Sequence, residues 1–194
     1  MDYMMKILVF GDTHIPTRRN SIPDSFYSII DETHYDLTLI TGDLVQEQAM
    51  REALPPLPRS YIVKGNMDYT HTHNFHEEIK AEDLRILLLH GTQLRPRGNI
   101  EQIRDILDNV GCDIGIHGHT HEAQIKLYKE RLILNPGTLS GATGVSTGRQ
   151  EASFIELEID GSAVEVTLYK TDWNTLKKST LAFQKKNGAM VQAK

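Results

Sequence analysis

A chain of 194 residues, 39% hydrophobic and 24% charged, is sized for one well-buried domain, and that balance excludes a disordered, collagen-like or coiled-coil protein. Its 21 basic and 26 acidic residues leave a net charge of −5, which argues against a surface built to hold the phosphates of a long nucleic acid.

Residues 6–10, Lys-Ile-Leu-Val-Phe, form a short apolar run that stops at Gly11, the pattern of a strand buried on both faces. After a polar loop to Pro23, Asp24 is expected to cap a helix with Phe26, Ile29 and Ile30 on one side. Residues 37–41 read as a second buried strand, 46–54 as a helix stopped by Pro55, Pro56 and Pro58, and 60–64 as a third strand. This alternation predicts parallel strands with crossover helices and a ligand site beyond the carboxyl ends of the strands.

In the second half, 84–89 is another apolar strand. Asn99 is expected to cap a helix carrying Ile100, Ile103, Leu107 and Val110 on one face, with Gly111 closing it. A short strand at 113–116 is followed by a hairpin of 124–128 with 131–134 and by a second hairpin of 153–159 with 163–169 around Asp160-Gly161. Residues 135–148, rich in Gly, Ser and Thr, read as a loop. A single domain is expected over 1–171, with a polar tail at 172–194 that is helical or partly disordered. The lone Cys112 reads as a buried thiol, and no apolar run approaches the roughly 18 residues of a membrane span; a cytoplasmic protein without membrane insertion is expected.

Candidate ligands recur after strand upon strand: Asp12-Thr13-His14, Gly42-Asp43, Gly65-Asn66, His90-Gly91 and Gly118-His119-Thr120-His121. One such pair alone is usually a cap or a satisfied hydrogen-bonding residue, but their coincidence points to one cleft. Side chains two residues apart in extended chain turn to the same side, so Asp12 with His14, and His119 with His121, each offer two ligands. Imidazoles, carboxylates and one amide suit zinc, manganese or iron(II) rather than calcium. If Asp43 lends one oxygen to each of two ions about 3.5–4 Å apart, the pair activates a bridging hydroxide and stabilises a phosphoryl group during in-line displacement.

The order of these motifs, Gly11-Asp12-Thr13-His14, Gly42-Asp43, Gly65-Asn66, His90 and Gly118-His119-Thr120-His121, resembles the signature of calcineurin-like metallophosphoesterases. Within that superfamily, Gly-Asp-Thr-His-Ile-Pro at 11–16, Asn-Ser-Ile-Pro at 20–23 and Asn135-Pro136-Gly137 are similar to the vacuolar sorting subunit of the retromer coat and its small prokaryotic phosphodiesterase relatives. The resemblance implies a four-layer α/β/β/α sandwich of two mixed sheets flanked by helices. It implies that Asp12, His14, Asp43 and His121 hold one divalent ion and that Asp43, Asn66, His90 and His119 hold the other, with Asp43, Asn66 and His90 at the reacting centre. Manganese is expected ahead of zinc, nickel or iron. The implied activity is hydrolysis of a small phosphodiester; a non-catalytic, retromer-like interaction scaffold is the alternative. A long nucleic acid is not an expected partner, and a homo-oligomer is left open.

One position departs from the pattern. Many relatives carry His directly after the Asn of the Gly-Asn motif, whereas this chain has Met67, whose thioether cannot donate a proton. General-acid help is worth about 10²–10⁴-fold, so leaving groups already stable as anions are expected to be favoured. His71, His73 and His76 are candidate substitutes but read as a solvated loop, and Asp68 reads as a carboxylate that orients its loop. Arg18 and Arg19 follow the first metal loop as candidate phosphate ligands, although adjacent loop arginines are commonly solvated.

Overall fold

The computed structural model describes residues 4–69, 72–145 and 148–193. Its elements, in chain order, are β1 (Met5–Phe10), α1 (Asp24–Glu32), β2 (Leu37–Ile40), α2 (Glu47–Glu52), β3 (Ser60–Ile62), β4 (His76–Ala81), β5 (Leu84–Leu89), α3 (Ile100–Val110), β6 (Ile114–Ile116), β7 (Gln124–Tyr128), β8 (Arg131–Asn135), β9 (Ala152–Asp160), β10 (Ala163–Thr171), β11 (Leu176–Lys186) and β12 (Ala189–Gln192). They form a seven-stranded sheet in the order β12-β11-β10-β9-β1-β2-β3 and a five-stranded sheet in the order β4-β5-β6-β8-β7. Both are mixed: β1, β2 and β3 run parallel beside an antiparallel β9–β12 meander, and β5, β6 and β8 run parallel between antiparallel edges β4 and β7.

Alternation along the strands sorts the core into layers. Ile7 and Val9 of β1 point between the sheets, where they join Leu39, Ile86, Leu88, Ile114, Ile116 and Leu134. Leu8 and Phe10 point outward and pack with Phe26 and Ile30 of α1 and Met50 of α2. On the opposite outer face Leu87, Leu89 and Ile133 meet Ile103 and Leu107 of α3. The order is therefore helices, sheet, sheet, helix, and each fully buried side chain of this kind contributes about 1.5–3 kcal/mol relative to exposure. Among the described residues no helix is long and apolar enough to cross a membrane.

Asn99 caps α3 by accepting from Gln102 N, and Gly111 ends it in the left-handed conformation at φ 69°. The expected cap at Asp24 is shifted by one: Pro23 occupies that position without a side-chain cap bond, and Asp24 is the first helical residue, where its charge complements the helix dipole. The tail at 172–194, expected to be helical or partly disordered, instead forms β11 and β12. β11 pairs with β10 from Ala163↔Gln184 to Thr171↔Leu176, while Phe183 and Met190 reach the core between the sheets. Most β11 side chains are exposed, so the partner strand rather than an internal pattern makes it a strand. β4 likewise shows no apolar run; only Ile79 and Ala81 are buried.

Candidate metal centre

The loops beyond the carboxyl ends of the parallel strands converge on one cleft. Asp12 and His14 follow β1, Asp43 follows β2, Asn66 lies in the loop after β3, His90 follows β5, and His119 and His121 follow β6. Ligand atoms of Asp12, His14 and His121 lie within 4.8 Å of one another, as do those of Asp43, His90 and His119, and all six residues are buried. Asp43 Oδ2 is 3.7 Å from His14 Nε2 and 3.5 Å from His90 Nε2, so one carboxylate oxygen faces both groups. Asn66 joins the second group, its Oδ1 3.2 Å from His90 Nε2, and is exposed at the mouth of the cleft.

Imidazole orientation is set from behind. His90 Nδ1 donates to the Thr41 carbonyl and His121 Nδ1 to the Ala142 carbonyl, each at 2.7 Å. A carbonyl only accepts, so in the neutral rings the proton is on Nδ1 and the Nε2 lone pair faces the cleft. His14 Nε2 and His121 Nε2 stand 3.1 Å apart, close enough to share a proton or a cation. Asp12 Oδ2 accepts from His119 N at 2.9 Å, while among the described residues its buried Oδ1, 3.4 Å from His121 Nε2, has no hydrogen-bond partner. Leaving a buried acceptor unpaired costs about 1–3 kcal/mol, more for a charged group. A divalent cation held by Asp12, His14 and His121 removes that cost, and the mixed nitrogen and oxygen donors suit a transition metal.

The backbone is strained where the candidate ligands sit. Asp12, His14, Asp43, His119 and His121 have φ of 50°, 48°, 53°, 70° and 61°, a region non-glycine residues seldom adopt. Asp68 holds one of these turns: its carboxylate accepts from the backbone N–H of Asp43, Leu44, Val45 and Gly65 at 2.6–2.9 Å. Met67 N then donates to Asp43 Oδ1 at 2.7 Å, leaving Oδ2 to the cleft. A Cβ on Gly65 would lie 2.2 Å from Asp43 N, and one on Gly118 2.6 Å from Asp12 Oδ2, so both approaches require glycine.

The protein's own charges shape these groups. Burial pushes the Asp12 carboxyl up to about 6, against the pull of His90 and His121. For Asp43 burial acts upward too, but the hydrogen bond and charge of His90 outweigh it and bring the carboxyl down to about 2. Burial lowers His90, yet Asp43, with added charge from Asp12, overcomes it and holds the imidazolium up to about 9. Burial dominates at His14, down to about 3, and at His119, down to about 4. A cation held by Asp43, His90 and His119 would have to displace a proton from His90.

Of the candidate acids, His73 is tied to Glu47 at 3.0 Å, His76 lies exposed on β4, and His71 lies outside the described residues. Arg18 reaches the cleft, with Nη1 3.4 Å from His14 Nε2 and donating to the Thr143 carbonyl at 2.8 Å. The segment after β8 does more than connect. Thr138 Oγ1 donates to the Asp12 carbonyl and Ser140 Oγ to the Thr13 carbonyl, Gln150 holds the His121 carbonyl, and Asn135, the last residue of β8, donates to Gly118 O and Thr120 Oγ1. The only sign of this in the sequence is a loop dense in side chains that bond to backbone.

Residues 5–162 match the calcineurin-like phosphoesterase superfamily domain. A probable metallophosphoesterase of Methanothermobacter thermautotrophicus is 32% identical over 171 residues, covering 86% of this chain and 93% of that protein. A single mutant of Vps29 from Entamoeba histolytica is similar in structure at TM-score 0.85 and 31% identity, over 93% of this chain and 100% of that one. Wild-type Vps29 from the same organism, complexed with zinc, gives TM-score 0.82 at 30% identity, over 92% of this chain and 99% of that one.

Proposed function

This chain belongs to the calcineurin-like phosphoesterase superfamily, whose members are metal-dependent, and from that premise we propose that it is a phosphodiesterase with a dinuclear centre. The observation that carries the reading is Asp43 Oδ2, one oxygen facing a ligand group on each side. Asp12, His14, Asp43 and His121 would hold one ion, and Asp43, Asn66, His90 and His119 the other. When bound, such a pair supplies a nucleophile from water at neutral pH and neutralises charge on the phosphoryl oxygens.

The chain's own residues do the positioning. The Thr41 and Ala142 carbonyls aim His90 and His121, and Met67 N with Asp68 fixes Asp43. Asn66 at the open mouth can meet substrate as well as metal. Manganese fits the nitrogen and oxygen donor set, and zinc is supported by the zinc complex of the Entamoeba relative. With Met67 where an acid would stand, diesters with stable leaving groups are favoured over monoesters of alcohols.

The test is hydrolysis of bis-p-nitrophenyl phosphate and its monoester by chelator-stripped protein, with manganese, zinc, nickel or magnesium returned in turn. Diester turnover that returns with metal and is absent in Asp43→Ala is the expected result. A second reading, an interaction scaffold, is favoured by the likeness to Vps29 and by Met67. No turnover with any ion, despite bound metal by elemental analysis, selects it.

A further inference from the structure

Arg18 sits on the side of the cleft formed by Asp12, His14 and His121, half-buried, and the acceptors it meets among the described residues are Thr143 O at 2.8 Å and His14 Nε2 at 3.4 Å. Once the His14 Nε2 lone pair is committed to a cation, this always-charged guanidinium retains one neutral acceptor beside a cationic centre. Such a position favours a bound anion. Nearby, Arg19 and Arg149 lie over the Trp173 ring at 5.3 and 4.6 Å, and Arg149 pairs through the backbone with Ala142, next to the residue that Arg18 holds. Among the described residues Arg19 Nε is buried with no hydrogen-bond partner. Among the described residues no carboxylate lies within ion-pair distance of Arg18, Arg19 or Arg149, although arginines elsewhere in the chain pair with Glu47, Glu78, Asp105 and Asp108. This flank is basic and uncompensated.

Among the described residues, none of the candidate acids is placed to protonate an alcohol leaving group. Met67 has no proton to give, His73 is spent on Glu47, and Asp68 is spent on four backbone N–H groups. An alkoxide released without a proton is a poor leaving group. A phosphate monoester, with a second pKa of about 6, departs at neutral pH as a stable dianion. Arg18, beside His14 and with no carboxylate partner among the described residues, is the means to receive it.

We propose that the diester cleaved here is a pyrophosphate diester, attacked at one phosphorus between the two ligand groups while Arg18 holds the departing second phosphate. The proposal rests on the phosphodiesterase reading above. In the step, the oxygen of water bonds to the attacked phosphorus, the bridging P–O bond breaks, and its electron pair leaves on the second phosphate. Both products are phosphate monoesters, and the water's protons pass to solvent.

The experiment compares kcat/KM of the full, manganese-loaded chain for ADP-ribose, for the dinucleoside monophosphate adenylyl-adenosine and for bis-p-nitrophenyl phosphate. ADP-ribose is expected to exceed adenylyl-adenosine by about 100-fold or more, the scale of missing general-acid help. Rates on aryl methyl phosphodiesters are expected to fall steeply with the pKa of the leaving phenol, and Met67→His to flatten that dependence. Arg18→Met is expected to lower the ADP-ribose to bis-p-nitrophenyl phosphate ratio by about tenfold or more at unchanged metal content. It should weaken calorimetric binding of α,β-methylene-ADP to a similar degree, with partial rescue in Arg18→Lys. Adenylyl-adenosine cleaved as fast as ADP-ribose, or an Arg18→Met variant with ratio and affinity unchanged, overturns the proposal while turnover of bis-p-nitrophenyl phosphate preserves the phosphodiesterase reading. If none of the three substrates turns over, that reading falls and takes the proposal with it.

Discussion

At the cleft, Asp12, His14, Asp43, His119 and His121 are buried and hold left-handed backbone angles, whereas β11 and β12 at the far edge of the seven-stranded sheet are extended and mostly exposed. The cleft is kept in shape by side chains bonded to backbone across short gaps: Asp68 under the Asp43 turn, Thr41 behind His90, Ala142 behind His121. The ribbon is kept in place by its ladder to β10 and by Phe183 and Met190 in the core. Strain concentrated in one region and relaxed pairing in the other means that damage to each should read out differently, in metal and turnover for the first and in global stability for the second.

The largest separation is expected from Asp43→Ala, which removes the oxygen facing both groups; phosphodiester turnover should fall by about 10³-fold or more, or about 4 kcal/mol of barrier, with loss of bound metal by elemental analysis. Phe183→Ala should cost about 3–5 kcal/mol in denaturant unfolding while the folded fraction keeps its metal affinity. A Phe183→Ala protein that lost metal affinity before stability would show that the ribbon and the cleft are coupled. Asp68→Asn places an amide against backbone N–H groups that need acceptors and should weaken metal binding by about 10–100-fold with the ligands untouched.

A pH series sharpens the comparison further. His90 is held up to about 9 by Asp43, against burial, so below that pH the incoming cation must displace its proton. Metal affinity should therefore rise by about tenfold per pH unit from this group across the window below about 9, then level off above it. A flat calorimetric profile over that window would mean that His90 carries no proton to displace. The smallest effect belongs to the ribbon: Lys185 meets Asp113 at 2.9 Å in a partly exposed pair, so Lys185→Ala should change stability by less than about 1 kcal/mol and metal affinity not at all.

The parallel strands were legible because each is an apolar run ended by glycine or a polar ligand, and α3 because Asn99, its apolar face and Gly111 agree on one element. The positions that converge on the cleft were legible for the same reason: a polar residue placed after each buried strand has one end of the sheet to go to. β4 and β11 were not legible, since their exposed charges carry no strand pattern of their own. Pro23 in place of Asp24 as the helix cap was missed because both residues are compatible with a helix start.

By itself the amino-acid sequence determined the alternation of strands and helices and the order of the candidate ligands along the chain, because each depends on residues a few positions apart; the departure at Met67 was legible only through the resemblance to the family. Only the tertiary structure decided that Asp43 faces two ligand groups at once, that Arg18 meets a carbonyl 125 residues away at Thr143, that Arg19 and Arg149 share Trp173, and that a lysine-rich tail is a sheet edge. Those contacts join residues distant in the chain, and their energy comes from hydrogen bonds and burial that exist only after the two sheets have closed on each other.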